Sequence, residues 1–376
     1  YDLGQIKTDF KKINDFQVEL MGDHPSKKYV HFVYNVDNGG GGLEHLNCQT
    51  SMIPRWNYTD PAKYKSFLGL IAHEYFHLWN VKRIRPVELG PFDYDKEVYT
   101  EMLWVAEGIT SYYDDFTLFK TGYYSEEEYL KIISGQINRF ENTPGKDVMS
   151  LNESSKLAWV KSYMPKENSA NTEVSYYNKG MLVATLLNLS ILHKTAGKKS
   201  LDNVMRSLYT RYKKLGTGFT FAEFLAICNK EAGADLSNFF ELHLNSTQPL
   251  NYTETFAAFG LKLTDENSDK KNVYSGASSK TDGGKTILTN IKTGSSAEKA
   301  GLSINDEIVS INGWRLSGTL EETEKRFNVD ETAEVTYARD GKMYTAKLQF
   351  VDSPIVHYAL SVADKENKLL LCWMHE

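Results

Sequence analysis

The sequence predicts an α+β multidomain protein: a mostly helical larger part holding a small sheet, followed by a β-rich module. Three observations carry this. Apolar residues recur at threes and fours across most of the stretch from about 61 to 244. The run Tyr29-Val-His-Phe-Val-Tyr-Asn-Val alternates and is rich in β-branched and aromatic residues, so it reads as a strand. Beyond Pro249 short alternating runs are separated by turn dipeptides, including Asn312-Gly313 and Asp340-Gly341.

Taken in order, residues 6–20 place Ile6, Phe10, Ile13, Phe16 and Leu20 at mostly helical spacing. Four glycines, Gly39 to Gly42, follow the strand and lead into Leu43-Glu44-His45. A second helix is expected over 61–79 and a third over 98–119. Helical segments continue at 126–138, 179–193, 201–212 and 221–232, the last opened by a capping box of Thr220 and Glu223. The runs starting at Thr286, Glu307 and Ala333 are the expected strands of the module. The spacing predicts domains over 1–250 and 251–352, with a strand-bearing extension over 353–376.

At 376 residues the chain is long enough for two or three cores. A net charge of -6 argues against a nucleic-acid surface, which wants a basic patch. No stretch approaches the roughly 18 apolar residues of a membrane span. Three cysteines (Cys48, Cys228, Cys372) are too few and too scattered for a disulfide framework or a thiolate metal site. The sequence opens at Tyr1 with no initiator Met and no signal peptide, so we expect a piece of a longer chain.

The chemistry concentrates in Ile71-Ala-His-Glu-Tyr-Phe-His-Leu-Trp. Residues four apart share a helix face, so His73 and His77 can reach one ion, and Glu74 then points at a water on that ion. Two imidazoles suit zinc, which lowers the pKa of bound water toward about 7. Glu74 is the expected general base. A third protein ligand is required, and Glu107 is preferred: it lies in the apolar helical stretch Leu103-Trp-Val-Ala-Glu-Gly-Ile, where a lone carboxylate is costly unless paired or metal-bound. Glu97 and Glu101 are rivals by distance from His77, and both lie where the helix is expected to begin. Lys82, Arg83 and Arg85 read as a solvated or salt-bridged basic run, with a substrate-carboxylate contact as the alternative.

These segments resemble a known family. His73-Glu-Tyr-Phe-His-Leu-Trp-Asn-Val-Lys-Arg-Ile-Arg-Pro followed by Leu103-Trp-Val-Ala-Glu-Gly is similar to the gluzincin metallopeptidases. More narrowly, the chain resembles the PDZ-containing glycyl aminopeptidases, relatives of aminopeptidase N. Gly41-Gly-Leu-Glu-His45 resembles their exopeptidase signature, and Tyr176-Tyr-Asn-Lys-Gly180 resembles their tyrosine motif. The resemblance implies a thermolysin-like catalytic domain and one Zn2+ held by His73, His77 and Glu107. It implies Glu74 as general base and Tyr177 as oxyanion donor. Glu44 would bind the substrate α-amine, with Gly42 lining the same subsite.

The implied activity is release of small N-terminal residues, glycine or alanine, from peptides with a free N-terminus. The separation of His77 from Glu107 is longer than in aminopeptidase N-like enzymes, so residues 82–95 must loop outward. His45 stands where those enzymes carry Asn, and the upstream β-domain of such families is not present in this sequence. Phe259-Gly-Leu-Lys-Leu, Gly294-Ser-Ser-Ala-Glu-Lys-Ala-Gly and Asn305-Asp-Glu-Ile-Val-Ser-Ile-Asn-Gly resemble a PDZ domain, the first as its carboxylate-binding loop and first strand. A peptide ligand of that module is one expected partner. Location in a bacterial periplasm or cell envelope is a family-level expectation. Two competing readings are a silent peptidase scaffold acting through the PDZ-like module, and a zinc endopeptidase. The intact set of motif residues argues against the scaffold.

Overall fold

A computed structural model describes residues 1–375. Helix α1 (Leu3–Met21) is capped by Asp2, whose carboxylate accepts the backbone N–H groups of Gly4 and Gln5. It buries Phe10 and Ile13 against Phe67, Leu68 and Ile71 of the second helix. Strands β1 (Val30–Val36), β2 (Gly42–Glu44) and β3 (Cys48–Pro54) form a small sheet in the order β1-β3-β2. β1 runs parallel to β3 and β2 antiparallel to it, with Glu44 opposite Gln49. Only one side of β2 is paired, so Glu44 lies on a free sheet edge.

Helix α2 (Pro61–Phe76) starts cleanly because Pro61 needs no N–H partner at the first position and Asp60 caps Ala62 and Lys63. It is three residues shorter than expected. The chain tightens to i→i+3 bonds (Leu78 to Tyr75, Trp79 to Phe76) and turns away at Asn80. The third helix also starts later than expected. Residues 98–102 are not helical, Met102 donating its N–H to the Thr100 hydroxyl. A π-turn over Trp104–Gly108, with Ile109 N–H on the Trp104 carbonyl, then leads into α3 (Ile109–Lys120).

Helix α4 (Glu126–Glu141) follows, and beyond it the helix Asn178–Lys194 runs through the centre of the large core, buried on nearly every face. Its run of Met, Leu, Val and Ile leaves no polar stripe, as expected of a helix surrounded by others. Leu201–Leu215 and Phe221–Ala232 complete the lobe, the latter with the expected Thr220–Glu223 capping box.

The module has its own core, centred on Leu288, Ile308, Val335, Leu348 and Phe350, under a six-stranded sheet. Asn312-Gly313 and Asp340-Gly341 take positive φ at both positions (52° and 77°, 51° and 76°) and connect antiparallel hairpins, as the dipeptides predict. One expectation fails. The strand Leu261–Asp265, read as the first strand of the module, pairs instead with Tyr358–Val362. Leu261, Leu360, Trp373 and Met374 pack into the large helical core. The extension after 353 therefore returns to the first lobe, ending in helix Lys368–Met374. Asn171 joins the two parts, its amide donating to the Ile291 carbonyl at 2.7 Å and accepting from Thr293 N–H at 3.0 Å.

Candidate metal centre

α2 and the π-turn bring three ligand-type atoms to one point. Glu107 Oε2 lies 3.2 Å from His73 Nε2 and 3.3 Å from His77 Nε2. All three donor atoms lie within 4.8 Å of one another. Two bonds of about 2.0–2.1 Å at a tetrahedral angle separate their donors by about 3.3 Å, so the spacing fits a tetrahedral cation. The rival carboxylates are elsewhere: Glu101 pairs with Lys156 at 2.9 Å on the surface, and Glu97 is exposed.

The far side of each imidazole is fixed. His73 Nδ1 meets Asp114 Oδ2 at 2.8 Å, and His77 Nδ1 meets the Asn80 carbonyl. Both partners accept, so each Nδ1 keeps its proton and each Nε2 faces inward, offering its lone pair once a cation takes the place of the proton it shares with Glu107. Asn80 also donates to the carbonyls of Val105 and Ala106, at 2.8 and 3.2 Å, and to the Thr110 hydroxyl. One residue thus orients His77 through its backbone carbonyl and, through its side-chain amide, ties the turn after α2 to the segment bearing Glu107.

Neither Asp114 nor Asn80 was singled out from sequence. Asp114 lies seven residues beyond Glu107, two turns along the same face, and that spacing was the available signal. Asp114→Asn is expected to weaken metal affinity about 10–100-fold, because an amide no longer enforces the His73 tautomer. Chelator competition measures this, and wild-type affinity in the variant would refute the orienting role.

Burial alone would raise the Glu107 carboxyl, but the two imidazoles hold it well below the usual carboxylate range. Burial opposes a charged His73, while Asp114 and Glu107 more than compensate and raise it well above the ordinary value. Glu74 is pushed up to about 7, chiefly by burial. Its Oε2 has no hydrogen-bond partner among the described residues. A buried, unpartnered carboxylate oxygen beside a ligand set is what a water-activating base requires.

The remaining expected residues converge on the same place. Glu44, Glu74 and His77 bring donor atoms within 4.8 Å of one another. Gly42 lies so close to Glu74 that an added Cβ would sit 2.5 Å from Oε1, so any larger residue there would have to displace the Glu74 side chain. Tyr177 stacks on the His73 ring at 6.2 Å between centroids and 28° between planes. Burial, then the Glu107 charge, raises its phenol far above the ordinary value, so it stays a hydrogen-bond donor. The neighbouring Tyr176 donates to Tyr163 at 3.4 Å, and its ring lies 4.7 Å from that of Tyr177.

Two motif glycines explain how these pieces are held. A Cβ on Gly108 would lie 2.5 Å from the Gly180 Cα, and one on Gly180 would lie 2.9 Å from the Gly108 Cα. The segment carrying Glu107 and the helix that follows Tyr177 therefore cross backbone against backbone.

In the module, the strand Ala277–Asp282 is the outer edge of the sheet, with helix Leu320–Glu324 against it. Glu321 accepts the Ser279 backbone N–H at 2.8 Å and its hydroxyl at 2.6 Å, and Glu324 accepts the Ser275 hydroxyl. A peptide adding a strand here must displace Glu321 to reach the Ser279 N–H.

The profile of the M61 glycyl aminopeptidase family matches residues 66–183, and that of the PDZ domain matches residues 258–350. A crystal structure of an aminopeptidase N family protein from Idiomarina loihiensis is 31% identical, with a TM-score of 0.91, over 100% of this chain and 67% of that one. An M1 zinc metallopeptidase mutant from Deinococcus radiodurans is 12% identical with a TM-score of 0.41, over 66% of this chain and 46% of that one. A serine endoprotease from Yersinia pestis is 15% identical with a TM-score of 0.20, over 22% and 30%. No curated protein matches the chain. Matched along its whole length by an aminopeptidase N family structure and by both profiles in the expected order, the chain belongs to the M61 glycyl aminopeptidase family and is a peptidase with a PDZ domain.

Proposed function

We propose that the chain is a zinc aminopeptidase that releases small N-terminal residues from peptides. The observation that carries the exopeptidase part is Glu44: a carboxylate on a free strand edge, within 4.8 Å of Glu74 and His77 donor atoms. A substrate ammonium held there leaves only one residue's length before the scissile carbonyl meets the centre. Zinc, when held by His73, His77 and Glu107, supplies Lewis-acid polarisation of the carbonyl and acidifies the attacking water. The donor set and its spacing support zinc, as does the family's metallopeptidase character.

The chain's own residues perform the rest. Glu74 accepts the attacking water's proton on its unpartnered oxygen and returns it to the leaving amine. Tyr177 donates its phenolic hydrogen to the developing oxyanion, an interaction of several kcal/mol in a water-poor site. Preference for glycine or alanine comes from the family's glycyl character. The bare backbone of Gly42 against Glu74 is compatible with it.

Zinc-loaded protein is expected to hydrolyse glycyl- and alanyl-p-nitroanilide and to leave the N-acetylated substrates intact. Cleavage of blocked peptides in preference to free ones would replace the exopeptidase reading with an endopeptidase one. Stoichiometric zinc without turnover of either would favour a scaffold.

A further inference from the structure

The amine subsite just described already contains an ammonium. Lys82 Nζ lies 3.0 Å from Glu44 Oε1, and the two side chains are only 15% and 16% exposed. Lys82 reaches this position from the turn after α2, five residues beyond His77, with its backbone N–H on the His77 carbonyl at 3.1 Å. Its ammonium also faces the ring of Phe92 at 5.3 Å, and the Arg85 guanidinium faces the same ring at 5.6 Å. The loop that lengthens the His77–Glu107 interval thus folds back to place a lysine at the centre.

Chemically, the Lys82 ammonium stands where a substrate α-ammonium would pair with Glu44. A carboxylate this buried is costly without a partner, so Lys82 is its counter-ion in the substrate-free protein. Two ammonium groups sharing one carboxylate repel each other at close range. Tethering gives Lys82 a high effective concentration over any free peptide.

We propose that Lys82 determines specificity by occupying the amine subsite, so that an incoming peptide must replace it at Glu44 with an ammonium of its own. The proposal rests on the aminopeptidase reading of Glu44. A free N-terminus makes the exchange one cation for another. An internal or blocked peptide that pushes Lys82 aside leaves Glu44 buried and unpaired, which disfavours it. Lys82 touches no reacting atom in this scheme and acts through Glu44.

The test uses the full zinc-loaded chain and glycyl-p-nitroanilide, measuring KM and kcat separately. Lys82→Met is expected to lower KM about tenfold with kcat changed less than about twofold, because the tethered competitor is gone. Lys82→Arg, which restores a cation, is expected to return KM toward wild type. Glu44→Gln raises KM, and adding Lys82→Met to it then has no further effect, since Lys82 acts only through the carboxylate. If Lys82→Met loses zinc, Lys82→Gln, which keeps length and polarity, gives the same comparison. A KM unchanged or raised on removing Lys82, with Glu44→Gln still raising it, overturns the proposal and leaves the aminopeptidase reading standing. A Glu44→Gln variant with wild-type KM overturns both.

Discussion

Glu74→Gln is expected to lower kcat by about 10³-fold or more while zinc content stays stoichiometric. General acid–base catalysis contributes on the order of 10²–10⁴-fold, and here one carboxylate both takes and returns the proton. The amide has nearly the same shape, and none of the three metal-directed atoms belongs to Glu74. Binding should therefore be largely preserved, with the loss appearing in kcat. The buried Oε2 without a partner makes the substitution tolerable for folding, since no protein hydrogen bond to that oxygen is broken. Metal analysis beside steady-state kinetics decides the matter. Substantial residual turnover would mean that another group accepts the proton, and loss of zinc would mean that Glu74 holds the centre together.

Gly180→Ala is expected to cost about 1–3 kcal/mol of stability and to weaken metal binding at the same time. The added Cβ would meet the Gly108 Cα at 2.9 Å and the Trp104 Cβ at 3.2 Å. These are backbone and the root of a side chain, not a flexible tip, so the two segments must separate. Gly108 follows Glu107 directly, so separation displaces the third ligand from the two imidazoles. Thermal melting of the apo and zinc-loaded forms reads the two effects, the zinc-dependent increment shrinking in the variant. Gly135→Ala on α4 is the control. Its Cβ meets nothing within 4 Å, and alanine gains helix propensity there, so the melting temperature should hold or rise slightly. Equal behaviour of the two variants would refute the close crossing.

Much of the centre was legible because its information is local. The four-residue spacing of His73 and His77 fixes a shared helix face whatever surrounds the helix. Glu107 could be preferred over Glu97 and Glu101 because a carboxylate inside an apolar helical run demands a partner. Turn chemistry is equally local, and Asn312-Gly313 and Asp340-Gly341 form the hairpins their φ requirements imply. The assignment of Phe259 to Leu263 failed for the opposite reason. An alternating five-residue strand says nothing about which edge it joins, and Tyr358–Val362 outcompetes the module's sheet by offering Leu360 and the helix after it to the large core.

By itself, then, the sequence determined the α+β division and the helix bearing His73, Glu74 and His77. Its motifs, through the resemblance they carry, pointed to Glu107, Tyr177 and Glu44. Tertiary structure decided what orients and balances those residues. Asp114 behind His73, Asn80 tying His77 to the Glu107 segment, Gly108 against Gly180, and Lys82 on Glu44 are contacts between different segments. Residues brought together only by folding leave no period along the chain, whereas a helix face is written in the spacing of its own residues.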